Sequence, residues 1–236
     1  MTIVATPQST ATPAAAPHPS PIDTIVGEVR IGINGVSYEF YKQFCEEIGE
    51  QPIRLSYSDG CLEIMVTKSP HEFFRKMLAK LVEATVFDLD IPVRSGGAMT
   101  FQRDDLKKGF EPDECWWVAK ERDVRSTVDF DFYQDPPPDL AIEVEMSHSL
   151  AGRIHIYAAM KVREVWRYNG RKLRFCVLDN AGQYQDAERS LSFPFLKPQD
   201  LEPFLALPGD DNETKRIRAY VNWLHSNEQA SQHRAI

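Results

Sequence analysis

A chain of 236 residues, 42% hydrophobic and 26% charged, has globular composition and the length for one sizeable core rather than two. A formal net charge of −8 argues against strong non-specific binding to nucleic acid, which needs a Lys/Arg surface to neutralise phosphate. No run approaches the roughly 18 apolar residues of a membrane span, the first Lys or Arg is Arg30, and Cys45, Cys61, Cys115 and Cys176 form no CxxC pair. A transmembrane helix, a secretory signal, a disulfide framework and a zinc site are thereby disfavoured, and a cytoplasmic protein with reduced thiols is expected.

Residues 1–24 are mostly Thr, Ala, Pro and Ser, a composition that cannot bury enough apolar surface to order itself, so a disordered tail is expected there. Residues 25–226 are expected to form one domain, with a polar, frayed tail over 227–236. A helix is predicted near Ser37–Ile48. A hairpin follows, Ile53–Tyr57 and Leu62–Val66, turned by Ser58-Asp59-Gly60. Ser69-Pro70-His71-Glu72 opens a long helix, with Ser69 as N-cap, Pro70 as first helical residue and Glu72 as capping-box partner. Phe74, Met77, Leu78, Leu81 and Thr85 keep helical spacing after it. Strands are predicted at Val93–Phe101, Glu114–Val118 and Leu140–Met146, then a helix over about Ser149–Lys161. A second hairpin joins Val165–Tyr168 to Leu173–Leu178 through Asn169-Gly170, and helices near Pro198–Leu205 and Glu213–Ser226 close the chain. The central order is helix, three strands, helix, strand.

The third of those strands carries the chemistry. At period two, Leu140, Ile142, Val144 and Met146 face one way, and Asp139, Ala141, Glu143 and Glu145 the other. Residues two apart on a strand are separated by roughly 6.6 Å. Glu143 and Glu145 are thus able to serve one site, whereas Asp139 lies far along the strand. Acids stacked on one face repel and are poor strand formers, so a compensating cation explains the pattern better than a solvated face does. Asp113, in Glu111-Pro112-Asp113-Glu114, stands at the mouth of the preceding apolar strand and can meet Glu143 from there; converging hard oxygens suit Mg²⁺ or Mn²⁺. Arg153, in the following helix, either reaches back over the strand end as a phosphate-stabilising cation or pairs with Glu145 at the surface. Glu72 is either the capping-box acid or a further catalytic candidate.

Several stretches resemble the Uma-two family of restriction endonucleases, within the PD-(D/E)XK nuclease superfamily. They are Tyr57-Ser58-Asp59-Gly60-Cys61-Leu62-Glu63-Ile64-Met65, Ser69-Pro70-His71-Glu72, Glu111-Pro112-Asp113-Glu114, Pro138-Asp139-Leu140-Ala141-Ile142-Glu143-Val144, and Ile156-Tyr157-Ala158 running into Glu164-Val165-Trp166-Arg167-Tyr168. The similarity spans roughly residues 37 to 207. It implies an α/β restriction-endonuclease-like core, flanked by an N-terminal helix and hairpin and by C-terminal helices. It also implies a metal-dependent endonuclease acting on nucleic acid, DNA above all. Asp113 then looks like the first metal acid and Glu143 like the acid of the (D/E)XK element. The superfamily's lysine is replaced by Glu145, and Arg153 stands where many relatives carry a migrated lysine. Arginine stabilises phosphate charge but stays protonated, so it is no general base. The expected mechanism is metal-assisted hydrolysis, with Mg²⁺ or Mn²⁺ on Asp113, Glu143 and Glu145. A homodimer is expected, since two sites related by a two-fold axis suit two strands of a duplex. Two other readings stay open: a catalytically decayed nuclease fold that binds nucleic acid or protein, and a hydrolase of another phosphoester.

Overall fold

The computed structural model describes residues 27–49, 51–147, 152–207, 209 and 212–233; the expected tail over 1–24 lies outside them. In chain order the elements begin with strand β1 (Glu28–Asn34), helix α1 (Tyr38–Ile48), the hairpin β2 (Arg54–Ser58) and β3 (Cys61–Thr67), and helix α2 (Ser69–Asp88). Strands β4 (Arg94–Ser95), β5 (Phe101–Arg103), β6 (Lys108–Phe110) and β7 (Glu114–Trp117) follow, then the short helix α3 (Glu121–Val124). Next come β8 (Leu140–Val144), α4 (Arg153–Ala159), β9 (Glu164–Tyr168), β10 (Leu173–Leu178) and β11 (Tyr184–Ala187). Helices α5 (Pro198–Leu201), α6 (Glu213–Ser226) and α7 (Glu228–His233) complete the described chain, α7 standing where the sequence suggests a polar tail.

The predicted hairpin forms as expected: Asp59 and Gly60 both adopt positive φ, 51° and 82°, as a tight turn between right-twisted strands requires. Its strands join β1, β6 and β5 in a sheet ordered β1-β3-β2-β6-β5. The strand predicted over Val93–Phe101 is corrected. Arg94 and Ser95 pair with β7, the chain breaks at Gly96-Gly97, and Phe101 enters the other sheet. Packing requires glycine at the first of these positions, because a Cβ on Gly96 would stand 2.6 Å from Cys115 Sγ.

The second sheet is ordered β11-β10-β9-β8-β7-β4 and is antiparallel except for β8 and β9, which run parallel and are joined through α4. Helix α2, strands β4, β7 and β8, helix α4 and strand β9 thus give the helix, three-strand, helix, strand order of a restriction-endonuclease-like fold. β8 is buried on both faces, as parallel-paired central strands are. Leu140, Ile142 and Val144 pack with Trp116, Trp166 and the α2 residues Phe74, Met77 and Leu78, while Ala141 packs with Cys115, Trp117, Ile156 and Tyr157 on the α4 side. The alternation read from the sequence is correct, but neither face meets water. The same register points Glu143 into a closed interior, which is the geometric origin of the site. No helix among the described residues is long and apolar enough to cross a membrane.

Candidate active site

Glu143 is 1% exposed on the α4 face of β8. Its Oε1 accepts a hydrogen bond from Arg153 Nη2 at 2.5 Å and another from the Tyr157 hydroxyl. Arg153 and Tyr157 are one helical turn apart at i and i+4, so α4 presents both donors on one face. Arg153 opens α4 immediately after Gly152, whose φ of +61° turns the incoming chain. The arginine is 1% exposed, and its Nη2 also donates to the Glu111 carbonyl at 2.5 Å. The surface pairing with Glu145 is therefore replaced by a buried pairing with Glu143.

Asp113 directly precedes β7. Continuing the register Glu114↔Ile142 by one step sets it beside Glu143. Its Oδ2 accepts the Val144 N–H at 2.7 Å and lies 3.3 Å from His71 Nε2, while Oδ1 lies 3.3 Å from Arg54 Nη1. Arg54 is held there by the Pro112 carbonyl at 2.8 Å. His71, fully buried in the first turn of α2, also stands 3.5 Å from Glu28 Oε2 and, through Nδ1, 3.6 Å from Glu72 Oε1. Behind it, Arg30 bridges Glu28 at 2.8 Å and Glu63 at 2.6 Å. Buried acids and buried cations therefore alternate through the site, and each offsets the desolvation cost of the next.

Burial alone would disfavour ionised Asp113, but His71, Arg54 and Arg153 hold its carboxyl well below the usual carboxylate range. For Glu143 the balance falls the other way. Burial pushes the carboxyl up, and the charges of Asp113 and Glu145 add to it, more than Arg153 and Tyr157 pull it down. Burial also disfavours the charged His71 ring, yet the carboxylates of Asp113, Glu72 and Glu28 outweigh it, and its pKa rises to about 9. Glu72 is lowered to about 2, first by His71 and then, against its partial burial, by Arg75 and Thr67.

Of the residues singled out from sequence, Asp113, Glu143 and Arg153 come together. Glu145, just beyond β8, turns its carboxylate to Arg167 of β9 instead. The capping box expected at Ser69 and Glu72 does not form: α2 starts at Ser69, Lys68 holds the N-cap position without a side-chain bond, and Glu72 instead pairs with Arg75 at 2.8 Å. Arg75 in turn holds Glu114 at 2.6 Å, and Glu72 lines the rim of the site beside His71. Sequence reasoning missed His71, Tyr157, Arg54, Glu28, Arg30 and Glu63. For Glu63 the available signal was a charge within the apolar run Leu62-Glu63-Ile64-Met65; Glu28 and Arg30 gave none, since Val29, Ile31 and Ile33 mark the opposite face of that strand as the apolar one.

Among the described residues no three His, Cys, Asp or Glu side chains are arranged to hold a metal ion. Asp113 Oδ1 and Glu143 Oε2 nonetheless accept no hydrogen bond, nor does Glu28 Oε2 behind them, and Asp113 Oδ1 has only its 3.3 Å ion pair with Arg54. Such a donor set fits Mg²⁺, which takes one or two carboxylates and completes its shell with water and phosphate oxygens. A cavity of about 600 Å³ lined by Phe74, Met146, Tyr168 and Leu205 includes none of these acids and belongs to the apolar α2 side.

Comparison with curated proteins gives no match. A family model, Uma2, described as "Putative restriction endonuclease", matches residues 38–210, a span that contains Asp113, Glu143, Arg153 and Tyr157. With that match over most of its length and the core order already seen, the chain belongs to the Uma2 family.

Proposed function

We propose that this protein is a metal-dependent endonuclease hydrolysing phosphodiester bonds in nucleic acid, with DNA as substrate and Mg²⁺ or Mn²⁺ held by Asp113 and Glu143. The observation that supports this most is an oxygen that accepts no hydrogen bond on each of these two adjacent buried carboxylates, Asp113 Oδ1 having only its 3.3 Å ion pair with Arg54, beside a permanently charged arginine. A divalent ion bound there supplies charge neutralisation at the phosphate and acidification of a water.

The remaining work belongs to the chain's own side chains. Arg153 and Tyr157 both hold Glu143 Oε1, which fixes the carboxylate rotamer and leaves Oε2 for the ion. The Val144 N–H does the same for Asp113 through Oδ2, and the ion would share Oδ1 with Arg54, which stands 3.3 Å from it. Arg153 stabilises negative charge building on the phosphate and takes no proton. Glu145 stays paired with Arg167 at the rim rather than ligating. Asp113, Glu143 and Arg153 are buried, and Glu72, Glu145 and Arg167 are the partly exposed members at the rim.

A second copy of the chain belongs to the same reading. β1 is an edge strand exposing Val29 (43%), Ile31 (54%) and Ile33 (42%). Antiparallel pairing about Ile31 would set Val29 against Ile33 and Ile31 against itself, a self-complementary apolar row. Incubating DNA and RNA with the protein and Mg²⁺ or Mn²⁺ tests the activity. Wild type is expected to cleave DNA, and Glu143→Gln to lose roughly 10²-fold or more. Absence of cleavage with either ion on either substrate would overturn the proposal.

A further inference from the structure

β1 lies outside the span matched by the family, yet it sends an acid into the site. Glu28 is 4% exposed. Its Oε1 accepts from Arg30 Nε at 2.8 Å, from the Ser147 N–H at 2.9 Å and from the Ser147 hydroxyl at 2.7 Å. Its Oε2 makes no hydrogen bond and stands 3.5 Å from His71 Nε2. The same nitrogen stands 3.3 Å from Asp113 Oδ2, and it is hydrogen-bonded to neither acid. A ring nitrogen carries one proton, so it serves one of these carboxylates at a time.

We propose that Glu28 is a positioning residue of the site: it is the alternative acceptor for the Nε2 proton of His71, and it draws the ring off Asp113 when Asp113 engages a divalent ion. The inference rests on the metal-dependent reading above and extends it to a residue that reading does not use. An N–H that stays on Asp113 competes with the ion for the carboxylate, and one that leaves without an acceptor is a buried unsatisfied donor, which is costly. Glu28 removes both problems because its own position is fixed. Three hydrogen bonds pin Oε1, two of them from Ser147, two residues beyond the rim acid Glu145, so Oε2 is held in a set place relative to β8. Groups that orient a ligating carboxylate in this way typically change metal affinity by about 10–100-fold when removed.

Mn²⁺ binding to the full chain, measured by titration calorimetry, tests this with Glu28→Gln, His71→Gln and the double variant. Glu28→Gln is expected to weaken Mn²⁺ binding about 10-fold or more. His71→Gln removes the competing ring and should bind at least as tightly as wild type, with the double variant matching it, since Glu28 acts through the ring. A merely structural Glu28 would weaken binding equally in both backgrounds, and that result overturns the proposal, as does wild-type affinity in Glu28→Gln. If Glu28→Gln does not fold, His71→Gln still decides: a loss of about 10-fold or more there refutes the competition. Failure of the wild type to bind Mn²⁺ refutes the metal-dependent reading itself, and the two failures are told apart by which protein shows them.

Discussion

Replacing Arg153 tests how the site is held together. The guanidinium is 1% exposed and bonds both the Glu143 carboxylate and the Glu111 carbonyl. Arg153→Met removes the charge while filling much of the volume, and leaves Glu143 buried with Tyr157 as its remaining donor. Breaking a buried pair from one side costs about 3–5 kcal/mol, because the surviving charge stays desolvated. In a chain of this size that corresponds to a fall in Tm of roughly 6–20 °C. Urea unfolding followed by tryptophan fluorescence suits the measurement, since Trp116, Trp117 and Trp166 are all buried. Adding Glu143→Gln should recover part of the loss, because no unpaired charge then remains. Single-turnover cleavage by Arg153→Ala, measured where it is still folded, should drop by roughly two or three orders of magnitude with little change in substrate affinity. Arg153→Lys should keep part of the rate, since it keeps the charge and loses the planar fork. A loss below about 1 kcal/mol in Arg153→Met, or a double variant no more stable than the single one, would refute the pairing argument. An unchanged rate in folded Arg153→Ala would refute its catalytic role.

Three further outcomes are expected. His71 has its folded pKa raised to about 9 from an ordinary 6.5, so its stabilisation is complete below pH 6.5 and is lost as pH rises through 9; roughly 3 kcal/mol is at stake. Tm should fall over that window, and His71→Gln should flatten the fall; a Tm insensitive to pH there would mean the ring is not charged. Mg²⁺ or Mn²⁺ should raise Tm by mass action, less so in Asp113→Asn and Glu143→Gln, and calorimetry without binding by either ion would remove the metal from the mechanism. Sedimentation at micromolar concentration should show a dimer that Ile31→Lys converts to monomer; a wild-type monomer would leave the β1 edge without the partner proposed for it.

Features whose physics is local were legible in the sequence. Asp59-Gly60 can take positive φ at both turn positions, so the β2–β3 hairpin follows from two residues. The 3.6-residue spacing from Phe74 to Thr85 marks α2, and the period of two along Leu140–Val144 separates Glu143 from its apolar neighbours, because side-chain direction depends only on backbone geometry. Those signals were enough to place Asp113 and Glu143 on facing positions and Arg153 beyond them. What a carboxylate pairs with depends instead on register between distant segments. β9 runs parallel to β8 and brings Arg167 to Glu145, which leaves Arg153 for Glu143. β1 pairs with β3 and carries Glu28 and Arg30 inward to His71 and Glu63, although a run of Val29, Ile31 and Ile33 reads as the buried side. That inversion has a physical cause: at a sheet edge beside a charged site, burying paired acids and cations fills the interior, and the apolar row is left outside. Helix capping likewise accounts for Glu72 on the sequence alone, and only the packing of α2 against β7, which brings Arg75 to Glu114, showed that its charge was required elsewhere.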